Sequence, residues 1–132
     1  MIGSKKLRVL VVDDTIVYRK AISDIIEEIP GVELAGVAHN GKIALSKIRT
    51  LKPDILTLDI EMPQMDGLTL CKKVKEELGL KQMDVIMFSS LINDQMIVKC
   101  KEVGATGYIT KPEINKLATI LDSIWQGQTE GT

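Results

Sequence analysis

A chain of 132 residues with 45% hydrophobic and 27% charged side chains has the size and make-up of one globular domain able to bury a normal core. Its 17 basic and 18 acidic residues leave a formal net charge of -1, so there is no basic field to hold nucleic acid. No apolar run approaches the roughly 18 residues of a membrane span, and residues 1–6 carry charge without the apolar stretch of a signal peptide. Cys71 and Cys100 show neither a CxxC spacing nor a partner cluster, so reduced thiols on helices of a cytoplasmic protein are expected.

Leu7 to Val12, LRVLVV, is a β-branched apolar run and reads as a central first strand ending in Asp13 and Asp14. The period then changes: Tyr18, Ala21, Ile22, Ile25, Ile26 and Ile29 share a helical face, which Pro30-Gly31 stops. Val32 to Ala38 is a second strand around Leu34 and Val37. Asn40 can cap a second helix burying Ile43, Ala44, Leu45, Ile48 and Leu51, closed by Pro53. Ile55, Leu56 and Leu58 form a short apolar run between Pro53 and Pro63, as in a strand covered on both faces of a parallel sheet, with Asp59 at its C-terminal end.

A third helix after Gly67 turns Leu68, Leu70, Val74 and Leu78 inward and Lys72, Lys73, Lys75, Glu76 and Glu77 outward, and Gly79 ends it. Val85 to Phe88 is the fourth strand, followed by Ser89 and Ser90. Asn93 or Asp94 can cap a fourth helix bearing Met96, Ile97, Cys100 and Val103, with Gly104 as its left-handed stop. Gly107 to Thr110 is a short fifth strand before Lys111-Pro112, and the last helix buries Ile114, Leu117, Ile120, Leu121 and Ile124. One domain over residues 1–125 is expected, with 126–132 as a flexible tail or linker.

Five strands, each followed by a helix, predict a doubly wound α/β three-layer sandwich with a five-stranded parallel sheet. The flavodoxin-like version has strand order 2-1-3-4-5 and its crevice where strands 1 and 3 diverge. Asp13, Asp14 and Asp59 then lie beside one another, with Ser89 and Lys111 on the same edge. Three converging carboxylates raise each other's pKa, a conflict that a hard divalent cation such as Mg²⁺ resolves through oxygen ligands. A metal, an ammonium and a hydroxyl facing one carboxylate form a clamp for a phosphoryl group, and that carboxylate can itself be the nucleophile.

The segments VLVVDD, LDIEMPQMDG, FSS and GATGYITKP, in this order and spacing from Leu7 to about Trp125, resemble the receiver domain of two-component response regulators. The resemblance implies that Asp59 is the phosphoacceptor for a histidine kinase, and that Asp13, Asp14, Asp59 and the backbone carbonyl of Glu61 hold Mg²⁺. It implies that Lys111 contacts the phosphoryl oxygens, that Ser89 turns its hydroxyl towards them, and that Tyr108 is the switch aromatic. The family commonly holds the bond at Lys111-Pro112 cis, and its position equivalent to Glu61 tunes dephosphorylation. The output surface would be the fourth helix, fifth strand and fifth helix. Its partners would be a histidine kinase and an output domain or downstream protein, without nucleic acid or membrane, the receiver being a monomer or a phosphorylation-dependent dimer.

Within receivers, TLDIEMPQMDGL and FSSL look most like the N-terminal regulatory part of chemotaxis methylesterases, although Ile92 and Gly107-Tyr108 depart from that pattern. The chain would catalyse only its own phosphorylation and dephosphorylation, since one histidine, His39 in a loop, assembles no Ser-His-Asp hydrolase site. A pseudo-receiver that binds partners without phosphorylation is the alternative reading. A flavodoxin-like electron carrier is disfavoured because Asp13-Asp14 would repel a flavin phosphate, and a haloacid-dehalogenase-type phosphatase because Thr15 stands where its second acid belongs. Met62 and Met65 are expected to pack the loop around Pro63.

Overall fold

The computed structural model describes residues 6–130, with side chains to 127. The elements run β1 (Leu7–Val12), α1 (Ile16–Glu27), β2 (Val32–Ala38), α2 (Gly41–Leu51), β3 (Ile55–Asp59), α3 (Gly67–Lys72), β4 (Asp84–Ser89), α4 (Asp94–Glu102), β5 (Gly107–Thr110) and α5 (Lys116–Glu130). The strands form one parallel sheet in the order β2-β1-β3-β4-β5, the order expected from the alternation of strands and helices.

Alternation along each strand divides the core into two layers. Leu10, Val12, Leu56, Leu58, Val85 and Met87 face Ala44, Ile48, Leu70, Val74 and Cys100 of α2, the α3 segment and α4. Val9, Val11, Ile55, Ile86, Phe88 and Ile109 face Ile22, Ile26, Leu117 and Leu121 of α1 and α5. Because β3 is covered on both sides, all five of its residues are buried, which is why its sequence shows a run instead of an alternation.

Three side chains cap helices by accepting main-chain N–H groups: Asn40 from Ile43 at 2.8 Å, Asp66 from Thr69 at 2.7 Å and Asn93 from Met96 at 2.9 Å. Asn93, not Asp94, is thus the cap of α4, and Asp66 is a cap the hydrophobic pattern did not signal. At the end of α2, Lys52 takes a left-handed turn with φ 48, and Gly104 does so after α4 with φ 86.

Several boundaries differ from the expectation. The helix after Gly67 widens into a π turn at Lys73–Glu77; Leu68 and Leu78 are half-buried, and Cys71 is fully buried. Helix α1 starts two residues before Tyr18, with Ile16 and Val17 71% and 70% exposed. A 3₁₀ turn at Lys111–Glu113 precedes α5, so Ile114 lies before that helix, and α5 continues to Glu130 through Gln126–Glu130 where a tail or linker was expected. Gly131, Thr132 and the leader segment Met1–Lys5 lie outside the described residues. Among the described residues no helix is long and apolar enough to cross a membrane. Cys71 and Cys100 are free and buried, and burial pushes both thiols up, Cys71 to about 11.

Candidate active site at the C-terminal edge of the sheet

Parallel pairing brings every strand's C-terminal end to one edge. Val12 pairs with Leu58 and Asp59 with Phe88, so Asp13 emerges beside Asp59, and Ser89 ends the next strand. Lys111 follows directly on β5. Carboxylate oxygens of Asp13, Asp14 and Asp59 lie within 4.8 Å of one another. Asp13, Asp59, Ser89 and Lys111 are buried, while Asp14 is exposed.

The Lys111 ammonium stands 3.3 Å from Asp13 Oδ2 and 3.2 Å from Asp59 Oδ1, and 4.5 Å from the centre of the Tyr18 ring on α1. Asp13 Oδ1 accepts from both the main-chain N–H and the hydroxyl of Thr15 at 2.8 Å, and Arg19 donates to the Asp13 carbonyl at 2.9 Å. The Thr15 hydroxyl is thereby drawn to Asp13 instead of capping α1. Asp59 Oδ1 accepts from the Glu61 N–H at 3.1 Å. Of the second oxygens, Asp13 Oδ2 meets only the Lys111 ammonium, and Asp59 Oδ2 is buried without a partner.

Burial pushes the Asp59 carboxyl up to about 7, the Asp13 charge adds to this, and Lys111 offsets only part of it. For Lys111, burial opposes the charged form, but the facing Asp59 and Asp13 outweigh it and raise its pKa. A buried, unpartnered oxygen on Asp59, with the carboxylates of Asp13 and Asp14 within 4.8 Å, is a donor set suited to a hard divalent cation. The turn after β3 is drawn tight over the site. A Cβ on Gly67 would meet the Asp59 carbonyl oxygen at 2.5 Å, so only glycine permits this approach.

Glu61 sends its side chain towards the loop after β4, where it accepts from the Ser89 hydroxyl and, at 2.8 Å, from the Ser90 N–H. Tyr108 lies on the edge strand opposite Met87 and is 38% exposed. Lys111-Pro112 is trans, not the cis form common in the family the sequence resembles. His39 is exposed, and Met62 and Met65 pack against the core beneath the loop, as expected. Thr15 and Tyr18 were not expected as neighbours of Asp13 and Lys111. Thr15, two residues after an aspartate, carried an Asx-turn signal. Glu61 pairs with residues 28 and 29 positions away, for which no local pattern exists.

The response regulator receiver domain model matches residues 9–122. The chain belongs to this family. The receiver is 54% identical over 111 residues to a protein-glutamate methylesterase/protein-glutamine glutaminase of Desulfotalea psychrophila, covering 83% of this chain and 30% of that protein. A Bacillus subtilis protein of the same description is 45% identical over 108 residues, covering 80% of this chain and 29% of that one. The chain thus spans about 30% of the length of these relatives.

Among solved structures, the response regulator domain of Thermotoga maritima CheB superposes with a TM-score of 0.80 at 34% identity, covering 92% of this receiver and 96% of that chain. A Borrelia burgdorferi CheX-CheY complex solved with BeF3 and Mg gives 0.83 at 32% identity, covering 92% and 90%. The likeness to methylesterase receivers expected from TLDIEMPQMDGL and FSSL is therefore present over most of the chain.

Proposed function

We propose that Asp59 accepts a phosphoryl group from the phosphohistidine of a histidine kinase and that the resulting charge switches an output surface. The observation that carries this reading is the asymmetry of Asp59: Oδ1 is held by Lys111 and the Glu61 N–H, whereas Oδ2 is buried and unpartnered. Oδ2 is the free nucleophile. It forms the new O–P bond as the P–N bond breaks, and the electron pair of that bond returns to the imidazole.

Asp13, Asp14, Asp59 and the Glu61 carbonyl would hold Mg²⁺, which supplies charge neutralisation to the phosphoryl oxygens. Lys111, fixed between two carboxylates and the Tyr18 ring, supplies a second positive charge at the site. Water attack on phosphorus later breaks the same O–P bond and restores the carboxylate. With the phosphoryl in place, Ser89 turns its hydroxyl to it, the loop after β4 follows, and Tyr108 repacks on the edge strand. A histidine kinase as phosphoryl donor supports a cytoplasmic location. The names of its relatives support a methylesterase domain as the output that this receiver restrains and releases.

Intact mass after incubation with acetyl phosphate tests the chemistry. A Mg²⁺-dependent gain of one phosphoryl group in the wild type and none in Asp59→Asn is expected. No gain in folded wild-type protein would replace this reading with that of a partner-binding pseudo-receiver.

A further inference from the structure

Glu61 is exposed, yet its carboxylate is fully engaged. Oε1 accepts from the Ser90 N–H at 2.8 Å and Oε2 accepts from the Ser89 hydroxyl. Ser89 itself is completely buried at the end of β4. Its hydroxyl has one proton, and two acceptors are within reach, Glu61 and the Leu91 carbonyl at 2.9 Å. The ionised acceptor makes the stronger bond. The same oxygen accepts from the Leu91 N–H at 3.3 Å, so the hydroxyl is committed in both directions.

Two donors of the loop after β4 therefore converge on an anion, and in the resting molecule that anion belongs to the chain itself. Glu61 is also bonded to the acceptor residue, through its own N–H to Asp59 Oδ1 at 3.1 Å. One residue thus joins Asp59 by its main chain and Ser89 by its side chain.

We propose that Glu61 is a positioning residue that latches the resting receiver: its carboxylate holds Ser89 and Ser90, and the phosphoryl group switches the loop by displacing it. The inference rests on the reading of Asp59 as phosphoacceptor. A phosphoryl on Asp59 adds roughly -1.5 to -2 of charge and three acceptor oxygens. It competes with Glu61 for the single proton of Ser89 and repels the Glu61 carboxylate at the same time. When the hydroxyl turns to phosphate, the Ser90 N–H passes to water. The segment to Leu91, which is 74% exposed and has little packing to hold it, is then released. The same contact delays switching, because it must break first.

The test follows amide hydrogen exchange and amide NMR shifts in the whole chain, for wild type, Glu61→Gln and Glu61→Ala, with and without beryllium fluoride at saturating Mg²⁺. Without the phosphoryl mimic, the Ser90 amide is expected to exchange roughly tenfold faster in Glu61→Ala than in wild type, the loss of one charge-assisted bond. The Leu91 amide should shift towards its position in wild type bound to beryllium fluoride. Glu61→Gln, which retains an acceptor, should keep most of the protection. Beryllium fluoride should bind roughly tenfold tighter to Glu61→Ala, with Glu61→Gln between the two, whereas a purely electrostatic effect would move both variants equally.

A Ser90 amide indifferent to Glu61→Ala overturns the latch, whatever the protein does with phosphate. Equal beryllium fluoride affinity in all three proteins overturns the displacement. Wild type that binds no beryllium fluoride while Ser90 remains protected through Glu61 overturns the phosphoacceptor reading, and the displacement with it.

Discussion

The two oxygens of Asp59 are treated differently by the fold, and the burial of its carboxyl beside Asp13 has a measurable cost. In the metal-free protein, burial and the Asp13 charge hold this carboxyl near 7, against 3.8 for the ordinary group. Between these values the folded state binds the proton more tightly than the unfolded chain, so stability falls as pH rises from about 4 to about 7. Asp59→Asn mimics the protonated group and should escape this loss. In a chelator, its melting temperature relative to wild type should climb through that window, reaching several degrees, about 4 °C or more, at pH 8. Saturating Mg²⁺ should shrink the difference by stabilising the wild type. A flat difference from pH 4 to pH 8 would show that Lys111 neutralises the site completely.

Lys111 makes the complementary case at the same scale. Lys111→Met keeps much of the volume and leaves Asp13 and Asp59 facing each other without their buried cation. A buried pair that loses one partner costs about 3–5 kcal/mol. Urea denaturation at pH 8 should show a loss of this order. At pH 5, where Asp59 takes up its proton, a much smaller loss is expected.

At the scale of elements, the site depends on how closely the turn after β3 lies against its strand. Gly67→Ala would place a methyl group 2.5 Å from the Asp59 carbonyl oxygen, a backbone atom that cannot swing aside. A destabilisation of roughly 1–3 kcal/mol is expected from such overpacking, together with reduced phosphoryl uptake because Asp59 is displaced. The caps act more locally. Asn93→Ala removes the acceptor for the Met96 N–H and should cost about 1 kcal/mol, read from urea denaturation, with phosphoryl uptake unchanged. Elements are also where sequence and structure part most. The apolar spacing after Gly67 supports one regular helix, whereas the chain inserts a π turn at Lys73–Glu77, after the regular turn that holds Leu70 and Cys71 in the core. Spacing alone could not reveal it, nor the contact of Cys71 with Val103, whose carbonyl accepts from its thiol at 3.3 Å across 32 positions of chain.

For the whole molecule, the sheet divides two apolar layers, and each is needed to bring the strand ends level. Leu56 is fully buried in β3, the central strand, and Leu56→Ala should cost about 2–5 kcal/mol in urea denaturation. The strand-helix alternation and the five-stranded sheet are legible in the order of residues alone. So is the gathering of Asp13, Asp14, Asp59, Ser89 and Lys111 at one edge. Each of those inferences rests on local periodicity and on chain-connection rules that leave few arrangements open. Which oxygen of Asp59 is free, and that Tyr18 faces Lys111, emerges only in the folded molecule. The same holds for the closing of Glu61 on Ser89 and Ser90. These are contacts between segments far apart in the chain, set by the register of strands and the close approach of turns, and no spacing along the sequence encodes them.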